Sequence, residues 1–270
     1  MAKQEQAKKQ EKSASENKIH KGDFIEIEFT AKLKDGDVFD SNIEGELKKI
    51  NPNAKAKPLV FSIGNHMFIE GVDEFLLDKD LGNYEIEISP EKAFGKRNPQ
   101  LVKVVPLKHF TENKLNPYPG MAFNFDNQIA KVLSVSGGRV ITDFNNPLAG
   151  KEVSYKINVK RKVIDINEKV KALIDFLFRQ DFSFTINEKD KKVILNLTEK
   201  QKSLKQFIEI FNDKFKEILE YELTIEETAD KEYNKEKKAE KEDKNSAESA
   251  IKKEENKKTE KKASKNKKER

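Results

Sequence analysis

The sequence predicts an α+β protein: four strands and a short helix interrupted by a small inserted β domain, then a C-terminal α-β-β-α-β module. Three observations carry this. Apolar and polar residues alternate, the period of a half-buried strand, in four separate stretches at 24–30, 57–63, 84–89 and 152–160. Between the second and third, Phe68, Val72, Phe75 and Leu76 recur at spacings of three and four, the period of a short amphipathic helix. A proline-containing block at 98–144 then separates the fourth stretch from the other three.

The first strand follows a Lys-Gly-Asp turn, with Phe24, Ile25, Ile27 and Phe29 as its apolar set and Glu26 and Glu28 interleaved, ending at Thr30. Asp35-Gly36 marks a tight turn. Residues 43–57, polar with Gly45 and Pro52, read as an exposed loop. "KPLVFSIGN" is the next strand, closed by Gly64, and the helix after it stops at Gly82. Tyr84, Ile86 and Ile88 alternate in "NYEIEISP". The block 98–144 holds Pro99, Pro106, Pro117, Pro119 and two strand-like runs, "GMAFNFDN" and "IAKVLSVSGGRVITDF". Beyond it Val153, Tyr155, Ile157 and Val159 alternate with Glu152, Ser154, Lys156 and Lys160. One buried face requires partners, and the strands at 24–30, 57–63 and 84–89 are the expected ones.

A third module follows over 165–228. Val170, Leu173, Ile174 and Leu177 form one helical stripe, "FSFTIN" and "KVILNLT" flank a polar turn, and Leu204, Phe207, Ile208, Phe211, Phe215, Ile218 and Leu219 mark a single second helix before "YELTIEE". Its apolar helix faces suit homo-oligomerisation or a further client-binding surface.

The chain has 270 residues, 53 Lys+Arg against 48 Asp+Glu, a net charge of +5 and a mean hydropathy of −0.82. Segments 1–21 and 229–270 are too poor in apolar side chains to offset chain entropy, and both are expected to be disordered. Their mixed charge suits solubilisation first, and contact with nucleic acid, the ribosome or acidic partners second. The chain has no Cys, which excludes disulfides and thiolate chemistry and fits a cytoplasmic protein. No apolar run approaches the ~18 residues of a membrane span, so no membrane contact is expected. His20, His66 and His109 are scattered, and no metal site is expected.

Several motifs resemble the FKBP-type peptidyl-prolyl cis–trans isomerases. "DGDVFDSN" is similar to the family's D-G-x-x-F-D-S element, "KPLVFSIGNHMFIEGVDEFL" to P-x-x-F-x-x-G-x-x-x-x-I-x-G-x-E-x-x-L, and "ISPEKAFG" to I-x-P-x-x-A-Y-G, in the same order. "GKRNPQLVKVVP", the block after it and "NNPLAGKEVSYKINV" resemble the SlyD-like long-chain (archaeal-type) branch, in which a chaperone-like domain is inserted in the flap. The resemblance covers about residues 22–164. It implies a discontinuous isomerase domain at 22–97 and 145–164, an insert at 98–144, and an FKBP sheet wrapped over the short helix.

The resemblance also implies a pocket. Phe39, Asp40, Phe94 and Tyr155 take its catalytic positions, and Phe29, Leu59, Phe61, Phe68, Ile69 and Val72 its substrate-binding positions. The implied substrate is an X-Pro bond in an unfolded or partly folded polypeptide, and no cofactor is implied. The chemistry suits such residues, because X-Pro rotation is slow through amide resonance and needs neither proton transfer nor a covalent intermediate. A dry aromatic wall favours the twisted, less polar amide over the planar one. Asp40 either orients the twisting carbonyl or caps the turn, and the Ile69 N–H at the helix start suits a peptide carbonyl.

Three positions depart from the family pattern. Phe94 and Phe29 stand where the family commonly has Tyr, and Val72 where it often has an aromatic ring. Packing survives these changes, while two hydroxyls are lost. In the insert, Leu115, Met121, Phe123, Phe125 and Ile129 are more apolar groups than so small a unit can bury, which fits binding of unfolded clients. The alternative is a small β core, and the alternative for the whole protein is a non-catalytic holdase with a vestigial pocket.

Overall fold

β1 (Phe24–Leu33) is long enough to serve three partners. Its first half pairs antiparallel with β3 (Leu59–Ser62), from Phe24 opposite Ser62 to Ile27 opposite Leu59. Its second half pairs on the same edge with β2 (Val38–Ser41). β9 (Val153–Val163) runs antiparallel along the whole of the other edge, with Thr30 opposite Lys156, and β4 (Asn83–Ile88) closes the sheet beyond it. The strand at 152–160 therefore pairs with β1 and β4. Its expected pairing with 57–63 is not made, because β9 fills one edge of β1 and leaves β3 only the other.

This computed structural model describes residues 17–125 and 128–227, which form two compact units divided between Asp165 and Ile166. In the first, Ile25, Ile27, Phe29 and Ala31 of β1 and Val153, Tyr155, Ile157 and Val159 of β9 are buried on one face. The other face is wet and charge-paired, Glu28 with Lys160 at 2.7 Å and Glu85 with Lys156 at 3.3 Å. α2 (Glu70–Leu76) packs Val72 and Leu76 into the same core.

The expected disorder of 1–21 is corrected at its end, while residues 1–16 and 228–270 lie outside the described residues. Ile19 is fully buried, and its backbone exchanges hydrogen bonds with Lys79 and Asp78, both at 2.8 Å. The expected loop 43–57 also holds α1 (Glu44–Ile50). That helix buries no residue, so it has no apolar stripe to read; Lys48–Glu44 and Lys49–Glu46 pairs support it instead.

Within the same unit lies a four-stranded antiparallel sheet in the order β5-β8-β7-β6, built from β5 (Val102–Pro106), β6 (Ala122–Phe125), β7 (Gln128–Ser136) and β8 (Arg139–Asp143). The second predicted run is two strands, because Gly137 and Gly138, at φ 56° and 75°, turn the chain back on itself. β5 and α3 (Leu107–Glu112) were not expected; their apolar residues are hidden among the prolines. α3 lays Phe110 on a core of Phe123, Ala130, Val132 and Val140.

The second unit begins with α4 (Ile166–Phe178), followed by β10 (Ser183–Asn187), β11 (Lys192–Leu197) and β12 (Glu222–Glu227). β10 and β11 are antiparallel, β11 and β12 parallel. The single helix predicted between β11 and β12 is corrected to three pieces: a 3-10 turn Glu199–Leu204, α5 (Lys205–Glu209) and α6 (Asn212–Leu219). The break between α5 and α6 falls at Phe211, whose ψ angle of 3° lies outside the α-helical range.

Candidate functional site

β1, β2, β3, the loop before α2, the segment after β4, and β9 each contribute one ring to a single aromatic cluster. Phe68 is its hub, with ring centres 5.4 Å from Phe29, 5.2 Å from Phe61 and 5.9 Å from Tyr155. Phe39 extends the cluster, 6.2 Å from Tyr155 and 5.7 Å from Phe94, edge to face in both cases. Phe29, Phe61 and Tyr155 are buried, whereas Phe39, Phe68 and Phe94 are half-exposed. The cluster therefore has a sealed floor and an open side.

The other predicted residues stand around it. Leu59 lies on β3 two positions before Phe61 and so on the same strand face. Val72, fully buried, belongs to the first turn of α2. Ile69 is the N-cap of α2 and carries no aromatic wall; its N–H makes no hydrogen bond to a described residue. Asp40 lies at the exposed rim of β2. Partial desolvation there raises its carboxyl above the usual carboxylate range, against the opposing hydrogen bond from the Ser41 N–H. Burial, and then the charge of Asp40, push the Tyr155 phenol well above its ordinary value.

Two polar residues that sequence reasoning passed over hold this rim in place. The Asn42 side chain accepts the Phe29 N–H at 2.7 Å and donates to the Ile27 carbonyl at 2.8 Å, and the Ser41 hydroxyl donates to the Phe29 carbonyl at 2.8 Å. They lock the end of β2 onto β1 and so set where Phe39 and Asp40 stand. Their position directly after Asp40 in "DSN" was the available signal. Asp73 acts similarly from α2. Its buried carboxylate accepts the Gly64 N–H at 2.8 Å and a hydrogen bond from the His66 backbone, shaping the loop that presents Phe68 and Ile69.

In the insert the five predicted residues divide. Phe123, 9% exposed, belongs to the core, edge to face with Phe110 at 4.9 Å, and Leu115 and Met121 pack against that core. Phe125 and Ile129 are exposed at 39% and 62%. Reasoning from sequence missed further exposed apolar residues, Val104, Tyr118, Leu133 and Ile141. A hollow of about 240 Å³ is lined by His109, Phe110, Asn113, Leu115, Phe123, Asn124 and Phe125.

An antiparallel sheet with a short helix, an aromatic cluster open on one side and a second sheet inserted before the last strand define a discontinuous α+β fold with a candidate pocket. Comparison with known families narrows this. Residues 15–110 match the model of FKBP-type peptidyl-prolyl cis-trans isomerases, and residues 103–148 match that of the FKBP26 IF domain. The chain is 34% identical over 149 residues to the short-type peptidyl-prolyl cis-trans isomerase of Methanocaldococcus jannaschii, covering 53% of this chain and 94% of that protein. It is 28% identical over 149 residues to a probable FKBP-type 16 kDa peptidyl-prolyl cis-trans isomerase of Pseudomonas fluorescens, covering 54% and 92%. To the FKBP-type isomerase SlyD of Helicobacter pylori it is 33% identical over 122 residues, covering 43% and 65%. The chain belongs to the FKBP-type peptidyl-prolyl cis–trans isomerase family. Among the described residues, no helix is long and apolar enough to cross a membrane.

Proposed function

We propose that this chain accelerates cis–trans isomerisation of X-Pro bonds in folding polypeptides, and that its insert holds unfolded segments beside the isomerase site. The observation that carries the first part is the single ring network of Phe29, Phe39, Phe61, Phe68, Phe94 and Tyr155, open on one side. A pyrrolidine ring entering that side exchanges water for hydrocarbon on both faces. The planar imide, with its charge separation, loses more by this than the twisted imide, in which resonance is broken. Such differential binding is catalysis without a reactive group. A barrier lowered by about 5–6 kcal/mol raises the rate by roughly four decades.

The Ile69 N–H supplies an unpaired donor at the cluster's edge, and Asp40 a negative charge that repels the planar amide oxygen more than the less polarised twisted one. For the second part, the support is the exposed apolar set Val104, Phe125, Ile129, Leu133 and Ile141 together with the hollow beside Phe125. An exposed apolar surface of this kind is what an unfolded segment's own apolar side chains pair with. Bound clients then meet the site at a raised local concentration.

The test is a prolyl-tetrapeptide assay on the full chain, alongside refolding of a proline-limited protein. Turnover on both, with the refolding activity alone lost in an Ile129→Ser/Phe125→Ser variant, is the expected result. Absence of tetrapeptide turnover overturns the isomerase reading and leaves the holdase.

A further inference from the structure

The walls of the aromatic cluster are hydrocarbon with one exception, the hydroxyl of Tyr155. Phe29, Phe39, Phe61, Phe68 and Phe94 offer nothing that donates a hydrogen bond, and Asp40 at the rim only accepts when ionised. Tyr155 sits between Phe29, Phe39 and Phe68, with ring centres at 6.0, 6.2 and 5.9 Å, and is 1% exposed. Its hydroxyl makes no hydrogen bond to a described residue. The fully enclosed hydroxyls in that condition are those of Thr142 and Ser183, so the Tyr155 hydroxyl keeps an open side. A buried phenol is normally satisfied, because leaving its O–H unpaired costs about 1–3 kcal/mol. Here the fold leaves it unpaired at the one place where a peptide is to be bound.

The chemistry of the substrate says which acceptor suits it. A donor on the rotating carbonyl itself strengthens amide resonance and stiffens the bond, which opposes isomerisation. A donor on a neighbouring carbonyl, outside the rotating imide, holds the peptide equally well in its planar and twisted states. We infer that the Tyr155 hydroxyl is a substrate-anchoring donor, which grips a main-chain carbonyl adjoining the X-Pro imide and works with the Ile69 N–H as a two-point hold. This rests on the isomerase reading above. It assigns the site a polar contact from β9, in addition to the one from the loop before α2.

Tyr155→Phe in the full chain tests it, since the ring and its packing are kept and only the hydroxyl is removed. Tetrapeptide kcat/KM and the equilibrium affinity for an unlabelled prolyl tetrapeptide should fall together, by about 5–30-fold, with kcat held within about twofold, as for a contact made equally in ground and transition states. The urea midpoint should not fall, because an unpartnered hydroxyl supports nothing in the empty protein. Unchanged kcat/KM and affinity overturn the inference, as does a loss confined to kcat, which places the hydroxyl on the rotating group. A fall in the urea midpoint overturns it too, by showing that the hydroxyl is structural. Failure of the isomerase reading is distinguishable, because the unaltered chain then shows no turnover against which to compare.

Discussion

Asn98 and Asn145 hold each other across the two strands of chain that connect the main sheet to the inserted one. The Asn98 N–H donates to Asn145 Oδ1 at 2.8 Å, and Asn145 Nδ2 donates back to the Asn98 carbonyl at 3.0 Å. Arg97 and Asp143 form an ion pair beside them at 2.7 Å, and Asp143 also accepts the Asn145 N–H at 3.0 Å. Both entry and exit of the insert are thereby fastened at one point. Replacing Asn145, 7% exposed, with Ala orphans the Asn98 N–H, while the Asn98 carbonyl keeps the Leu101 N–H at 3.1 Å. The expected cost is about 1–3 kcal/mol, seen as a lower denaturation midpoint and faster amide exchange at Asn98, with tetrapeptide turnover intact at temperatures where the protein stays folded.

Gly71, inside α2, lies directly against Ile88 of β4. A Cβ at this position meets Ile88 Cγ2 at 2.4 Å and two further carbons of the same side chain at 3.3 Å. Gly→Ala inside a helix ordinarily stabilises, but Ile88 is 4% exposed and has little room to yield. Gly71→Ala is expected to destabilise by about 1–3 kcal/mol through overpacking. In an Ile88→Ala background that cost should vanish, which a double-mutant cycle from urea melts would read; an undiminished cost there refutes the steric account.

Burial raises the Asp73 carboxyl above its ordinary value of 3.8, and the hydrogen bonds from the Gly64 and His66 backbone only partly oppose it. The sign follows from proton linkage. Where the folded state holds the proton more tightly than the unfolded state, this group's contribution to stability is greatest below the unfolded pKa. It declines as pH rises through the folded pKa and is constant above it. Asp73→Asn removes the charge and keeps an acceptor for the Gly64 N–H. The stability of the variant relative to the wild type should therefore be more favourable at about pH 7 than at about pH 3.5, a comparison made by chemical denaturation at both. A difference independent of pH counts against the assignment.

Phe94 is half-exposed and stands edge to face with Phe39 at 5.7 Å, so a para hydroxyl added to it is expected to stay hydrated in the empty site. Phe94→Tyr should raise tetrapeptide kcat/KM by about threefold to tenfold, the worth of one added neutral hydrogen bond to the bound peptide. Unchanged or lower turnover would show that no acceptor on the bound peptide lies within reach of a hydroxyl at position 94.

The ring network was legible because its members sit in motifs whose order and spacing survive in this chain: Phe39 and Asp40 in "DVFDSN", Phe61 to Val72 in one run, and Phe94 in "KAFG". What positions them was not. Asn42 binds the backbone of Phe29 thirteen residues away, and Asp73 that of Gly64 nine residues away. Bonds from a side chain to a distant backbone leave no periodic trace. The same limit explains α1, which has no buried face, and the break at Phe211, where apolar spacing continues through a turn that is not α-helical. The place of Phe68 as hub also needed coordinates. Val72 is buried in α2, and Phe68, four residues earlier, is the residue that touches Phe29, Phe61 and Tyr155.

The pairing of Thr30 with Lys156 sets a timetable for the molecule's own assembly. β7 and β8 join through a two-glycine hairpin and find each other locally, as soon as both have been made. β9, the shared centre of the main sheet, meets β1 only after the whole insert has been synthesised, and closing so long a loop is slow. During synthesis the inserted sheet, whose strands all precede Val153, is therefore able to close while the main sheet still waits for its central strand.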